Sequence, residues 1–516
     1  MALPRPTTIP VSLLGLVVLV TLATIYSLLT RQRPYAGFPV TTLGEKGIKA
    51  WLLPHMSWMF RPLEIRAKGR ELSSGSNIYQ IATGAGYRIV LPRKFADELR
   101  NHKDLDFSTS AARDFHVTQP GFDSMREGLR PDGLMVDVVR VKLTQSLGLV
   151  TQDVVEESKF SIDEWFGDHK EWSTFEIKQA LLDIVARVST RVFAGTDLAR
   201  NKEYIHIAKE NTVSLFTGAA TLHQIPALLR PIAVWFIPHC RNLRKQVADA
   251  RRLLASQVRK SQESATQVDQ KSSKTADAFR WMMDIAKGRP INFVAGQLML
   301  SMAAIHTTTE MTTRAMMQCC QAPEIVDELR KEIIRVLKED GWAKTALYKM
   351  KLLDSFLSEV SRCYPMGIGG MGRYTKREIE LSDGTILPGG SLVMVENDGP
   401  GDAEAFPEPE KFDAYRFLKM RERPGEETRH QFVTTTPSNM LFGHGQHACP
   451  GRFFASNEIK ILFCFLLLQY DWRYEPGYVP PKNVYSEMQI TVPPNVQVQC
   501  RRRQPEIDLM DPKEVK

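Results

Sequence analysis

The stretch Phe442-Gly443-His444-Gly445-Gln446-His447-Ala448-Cys449-Pro450-Gly451-Arg452 constrains this chain more than any other. Three glycines within nine residues let a backbone turn sharply and approach a flat ligand closely. The apolar run Ile461 to Leu468 follows, and predicts a core helix from near Gly451 to about Gln469. A cysteine just ahead of a helix meets backbone N–H groups and the positive end of the helix dipole, both expected to lower its thiol pKa. A soft thiolate is what a single sulfur ligand to haem iron requires. Phe442, Phe453 and Phe454 supply apolar walls for a macrocycle. Two other readings fit the same residues. Cys449 can be an inert, buried small residue, or it can join His444 and His447 in a zinc site. Zinc takes four ligands, and no fourth Cys or His stands at a known spacing.

The far end of the chain carries a second constraint. Val11 to Leu29 contains no charge. Its 19 residues would span roughly 28 Å as a helix, close to the thickness of a bilayer's hydrocarbon core. The run is long for a signal peptide and no clean cleavage site follows it, so an uncleaved anchor is expected. Arg31 and Arg33 follow it at once, and Arg5 alone precedes it, which places the bulk of the chain in the cytosol. The expected organisation is a short lumenal segment, 1–10, an anchor, 11–29, and a basic, proline-rich hinge, 30–40. A single body, 41–516, comes after them. Seven scattered cysteines, none in a C-x-x-C pair, argue against a disulfide framework. The formal charge of +8 is spread along the chain, with no basic run dense enough for nucleic acid.

Periodicity within the body is mostly helical. Ile78 to Ala82 and Tyr87 to Leu91 predict a hairpin, and Arg93 to Asn101 a helix. Gln119 to Gly133 reads as a long loop and Ser261 to Ala276 as a polar one. Asn292 to Cys320 predicts a buried helix, apolar all round between Leu298 and Ile305. Leu353 to Cys363 predicts another. A second hairpin is expected around Asp383-Gly384, then a strand over Ser391 to Val395 and an irregular stretch from Gly399 to about Ser438. The fold class is mainly α with small β-sheets (α+β).

The string F-G-x-G-x-[R/H]-x-C-x-G resembles the haem-binding loop of cytochromes P450, and Phe442, Gly443, Gly445, His447, Cys449 and Gly451 fill its fixed positions. Three further motifs stand in the family's order. Glu359 and Arg362, at i and i+3, resemble its buried Glu–Arg pair, and Phe412-Asp413-Ala414-Tyr415-Arg416-Phe417 the segment that adds Arg416. Read alone, Glu359 and Arg362 make an ordinary surface ion pair. Ala303-Ala304-Ile305-His306-Thr307-Thr308 resembles the oxygen-activating segment, with Thr307 at the threonine position. A threonine bonded to the i−4 carbonyl opens a small groove there. Ala304 replaces the usual glycine and narrows that groove. His306 replaces the usual acid, and is either a proton shuttle or a satisfied core histidine; Glu310, one turn on, can compensate. Arg373 resembles the strand arginine that contacts a haem propionate, and Arg140 a second such group. A surface arginine is the alternative for both.

The resemblance implies a cytochrome P450 fold with an N-terminal transmembrane helix, in the endoplasmic reticulum membrane with the catalytic domain cytosolic. It implies haem b on Cys449, with His447, Arg373 and Arg140 on its propionates. It implies a monooxygenase using dioxygen and electrons from an NADPH-dependent cytochrome P450 reductase, with cytochrome b5 as a second candidate donor. Wording such as Ile-His-Thr-Thr and Gly-His-Gly-Gln-His-Ala-Cys-Pro-Gly-Arg resembles fungal members of the ent-kaurene oxidase-like, terpenoid-tailoring group. The substrate is then expected to be a lipophilic terpenoid, meroterpenoid or indole-diterpene, in a pocket that includes Phe115, Phe122, Ala303 and Ile368. An oxygen-independent isomerase or dehydratase, and a non-catalytic haem sensor or carrier, are the rival readings.

Overall fold

The computed structural model describes residues 32–44, 55–266, 277–397, 401, 403 and 405–513, with a few positions between 15 and 29. The expected anchor at 11–29 therefore lies mostly outside the described residues. Among those described, no helix is long and apolar enough to cross a membrane.

Six helices position the site: α1 (Leu147–Phe166), α2 (Ile177–Ala194), α3 (Lys202–His223), α4 (Phe293–Gln321), α5 (Lys351–Cys363) and α6 (Arg452–Gln469). Their limits follow local chemistry. Asn292 caps α4, its side chain accepting from the Ala295 N–H at 3.1 Å, and Asn201 caps α3 in the same way on Tyr204 at 3.0 Å. At the far end of α5, Pro365 bars continuation. From Ile461 to Leu468 every side chain of α6 is buried, and the main core packs round it with faces of α1, α2, α4 and α5. A helix apolar on all sides must sit inside a ring of others, and α6 does.

The sheets are small and peripheral. β1 (Tyr79–Thr83), β2 (Gly86–Leu91), β3 (Leu105–Asp106), β5 (Gly369–Thr375) and β8 (Leu392–Glu396) form one sheet in the order β1-β2-β8-β5-β3. The β1–β2 hairpin pairs Tyr79 with Val90, β2 runs parallel to β8, and β5 runs antiparallel to β8 with a register shift between Gly370 and Arg373. β4 (Ser173–Glu176), β9 (Tyr470–Arg473) and β12 (Gln497–Arg502) form a second sheet. β6 (Ile379–Glu380) and β7 (Ile386–Leu387) make the second predicted hairpin, and β10 (Val484–Ser486) and β11 (Gln489–Thr491) a further pair.

Four local expectations are corrected. The stretch read as a loop over 119–133 contains a helix, Asp123–Gly128, which packs on α4. The predicted helix over 93–101 shrinks to one tight turn, Arg93–Phe95, and Ala96–Leu99. A short helix, Arg416–Arg421, interrupts the irregular stretch because Arg416 is drawn into a buried ion pair. The polar segment read as a loop from Ser261 is entered by a helix that runs from Pro238 to Thr266, and its remainder lies outside the described residues.

Candidate active site

The glycine loop closes on itself. Gly443 and Gly445 take positive φ, +70° and +76°. A Cβ on Gly445 would stand 2.6 Å from the Arg100 carbonyl oxygen, so no other residue fits there. The Cys449 N–H donates to the Phe442 carbonyl at 2.7 Å and the Ala448 N–H to that of Gly445 at 3.0 Å. These bonds leave the cysteine at the mouth of α6. His444 is buried and spoken for, with Nε2 3.0 Å from Asp97 and Nδ1 3.2 Å from Thr435. Among the described residues no three His, Cys, Asp or Glu side chains group to hold a metal. The zinc reading is left without a ligand set.

Cys449 opens into an apolar cavity of about 290 Å³. Phe442, Phe454 and Phe193 line it together with Ala303, Ala304 and Thr307 of α4. Burial pushes the Cys449 thiol up, while the N–H groups of Gly451 and Arg452 pull it down. The sequence reading expected a net fall. The helix end acts in that direction, but desolvation is the larger effect. A coordinated metal ion reverses the balance, because it deprotonates the thiol outright.

On α4, the Thr307 hydroxyl donates to the Ala303 carbonyl at 2.7 Å, the i−4 bond that sets up the expected groove. Thr308, which sequence reasoning passed over, also lines the cavity, and its buried hydroxyl has no partner. His306 is turned elsewhere. Its Nε2 lies 2.9 Å from the Lys209 carbonyl on α3, and burial lowers its pKa. Glu310 is clamped by Arg314 at 2.8 Å, Lys178 at 2.8 Å and the Val492 N–H at 2.7 Å. Neither His306 nor Glu310 lines the cavity. The geometry favours the core-histidine alternative for His306, and makes Glu310 a cross-brace between α4 and α2.

At the loop's edge three predicted basic groups meet. Arg373, on β5, is buried, and its Nε has no partner. Its guanidinium stands 5.7 Å from the Phe107 ring, which in turn lies 5.7 Å from the His447 ring. Burial and the Arg373 charge hold the His447 imidazole below its ordinary pKa, with Arg140 adding to the effect. Arg140 itself donates to the Gln446 carbonyl at 3.3 Å. Arg373, with its partnerless buried Nε, and its neighbours His447 and Arg140 are basic groups that a pair of propionates would engage. With the apolar slot and the lone sulfur, they make these residues fit haem b.

Behind the loop lies the triad. Arg362 grips Glu359 with two bonds of 2.8 Å, and Arg416 adds bonds of 3.0 and 3.2 Å. All three side chains are buried. The arginines spend their other N–H groups on the carbonyls of Pro407, Glu408, Pro409 and Lys411. Their role is to pin the irregular chain that leads to the cysteine loop.

Of the four expected pocket residues, Ala303 lines the cavity. Phe115 stacks edge-on to Phe216 of α3, with centroids 5.0 Å apart. Phe122 is fully buried in a satellite core with Leu215 and Leu243, and Ile368 packs with Trp58 and Tyr79. None of these three lines the cavity. Phe193 and Val139, which line the slot, and Phe107, which lies between Arg373 and His447, were missed; nothing in their neighbourhoods marks them, since tertiary packing alone brings them there.

The sequence pattern of one protein family, described as "Cytochrome P450", matches residues 134–500. "Cytochrome P450 monooxygenase bsc2" of Alternaria brassicicola is 42% identical over 486 residues, 93% of this chain and 92% of its own. "Cytochrome P450 monooxygenase adrA" of Penicillium rubens is 35% identical over 505 residues, 96% and 97% of the two chains. "Cytochrome P450 monooxygenase trt6" of Aspergillus terreus is 37% identical over 437 residues, 84% and 88% of them.

Proposed function

The chain belongs to the cytochrome P450 family and is a haem-thiolate monooxygenase, and from that premise we propose that it oxidises a lipophilic small molecule of fungal secondary metabolism. The class we favour is a terpenoid, meroterpenoid or indole-diterpene, hydroxylated once or oxidised further. The supporting observation is that Cys449 and Thr307 line one apolar slot. When bound there, haem b activates dioxygen with two electrons and two protons, and supplies one oxygen atom for insertion into a C–H bond.

The chain's own residues do the rest. Cys449 supplies the sulfur ligand, and the triad holds its loop still. Phe193, Phe442 and Phe454 exclude water from the slot. Thr307 holds its hydroxyl at the Ala303 carbonyl, keeping a polar notch open in an otherwise apolar wall. With His306 and Glu310 engaged elsewhere, Thr307 lines the cavity with an exposed side chain, while the Thr308 hydroxyl beside it is buried.

Electrons come from an NADPH-dependent reductase, with cytochrome b5 as a second donor. We place the enzyme on the endoplasmic reticulum membrane, held by the uncharged run 11–29. A second apolar surface, Leu228, Ile232, Trp235 and Phe236, each at least half exposed, is consistent with a protein that works at a bilayer.

Product analysis after co-expression with a reductase and candidate terpenoids tests this. NADPH-dependent gain of one oxygen per product, lost in Cys449→Ala, is the expected result. Turnover that proceeds without NADPH or dioxygen would instead establish the isomerase or dehydratase reading.

A further inference from the structure

Glu458 lies on α6, nine positions beyond the cysteine, and takes no part in the site described above. Its side chain is fully buried. The Ser189 hydroxyl of α2 donates to its Oε1 at 2.8 Å, and Oε2 has no partner. The charged side chains of the surrounding helices are engaged elsewhere. On α1, Glu157 pairs with Arg200; on α2, Arg187 pairs with Glu164 and Arg191 with Asp153; on α6, Lys460 pairs with Asp354. An ionised carboxylate here would be a buried charge without a counter-ion, and such groups neutralise instead. Burial accordingly pushes the Glu458 carboxyl up to about 8.

The neighbours give that proton a purpose. One turn along each helix, Phe193 of α2 meets Phe454 of α6 with ring centroids 5.5 Å apart. Residues 189 and 193, and residues 454 and 458, are i, i+4 pairs. The Ser189–Glu458 bond therefore lies one turn along the same seam from the Phe193–Phe454 contact, and both phenylalanines line the slot. Ala455 and Ile459, which flank Glu458 on α6, line it too.

We propose that Glu458 works as an un-ionised carboxylic acid, a positioning residue whose bond to Ser189 sets the seam between α2 and α6 and so the wall on which haem is seated. It touches neither cofactor nor substrate. Ionisation would put a lone negative charge behind that wall and open the seam. A carboxamide, neutral at every pH and of the same shape, would hold it.

The test is run on the haem-loaded protein and rests on the cysteine-ligated haem alone, so it reads independently of substrate or reductase. The infrared C=O absorption of an un-ionised acid should be present at about pH 7 and fade as pH rises through about 8. It should be missing from Glu458→Gln and shifted in Ser189→Ala. Haem retained after gel filtration should fall several-fold between about pH 7 and about pH 9.5 in the wild type, and stay level in Glu458→Gln. Two results would overturn the proposal: no Glu458-dependent acid band near neutral pH, or the same alkaline loss of haem in wild type and Glu458→Gln. If Glu458→Gln does not fold, the wild-type band and its response to Ser189→Ala decide alone, and a band that Ser189→Ala leaves unmoved counts against it.

Discussion

The two faces of the slot are built on different principles. The cysteine side is a bonded frame: the loop's backbone bonds, the Glu359–Arg362–Arg416 triad and the buried carbonyls it grips leave few polar groups free. The other side, where α4 lines the slot, is held by apolar packing, and in the elements packed round it, α3 and the segment 107–133, several buried hydroxyls and ring nitrogens have no partner. The frame must hold one sulfur in one place, whereas the packed side need only enclose a guest. Geometry that chemistry requires is fixed by hydrogen bonds and charges, and geometry that a substrate class requires is left to side-chain shape.

That contrast can be broken or sharpened by mutation. The largest effect belongs to Cys449→Ala, which should abolish both turnover and the shifted absorption band of the reduced carbon monoxide complex while leaving the chain folded. Next, Glu359→Ala strands two buried guanidinium groups. Breaking a buried pair in this way costs about 3–5 kcal/mol, so urea unfolding should show most of the stability lost and little haem bound. A single truncation on the packed side, such as Met299→Ala of α4, which lines the slot, should spare haem binding and change product distribution instead.

The packed side should fail first in acid. His116 and His223 stack with ring centroids 4.5 Å apart beside Arg230, and burial drives their pKa values down to about 4 and about 3. Between those values and the ordinary 6.5 the folded chain binds fewer protons than the unfolded one. Stability from this pair is thus whole above about 6.5 and drains as pH falls towards 3. His223→Phe should flatten the acid limb of a thermal-melt pH series, and an unchanged limb would remove the pair from the account. The smallest effect on structure is expected from Thr307→Ala, which deletes one hydroxyl already satisfied within α4. It should leave stability within about 1 kcal/mol but raise the peroxide released per dioxygen consumed.

Legibility in the sequence followed the same division. Glu359 and Arg362 stand three residues apart on one helix, so their contact is set by helical geometry before any tertiary structure exists. The glycine loop was legible for a similar reason, since positive φ favours glycine and Gly445 has no room for a Cβ. The joining of Arg373, His447 and Arg140 was legible only through family resemblance, because three segments far apart in the chain converge there. On α4 the reading reached Thr307 but passed over Thr308. A helix apolar on every side carries no stripe to say which residues face a cavity. For the same reason Phe122 and Ile368 were placed in the pocket when they belong to satellite cores: an apolar residue near a site advertises burial, not the cavity it serves. The thiol pKa of Cys449 shows the remaining limit. Sequence displays the helix end that lowers it, but not the burial that outweighs it.

One measurement bears most directly on the whole account: X-ray absorption at the iron edge of the purified, haem-loaded protein. A sulfur scatterer beside the four porphyrin nitrogens, lost in Cys449→Ala, is the predicted result. An axial nitrogen in its place, with Cys449→Ala indistinguishable from wild type, would contradict the assignment of the sulfur at 449 and the reading built on it.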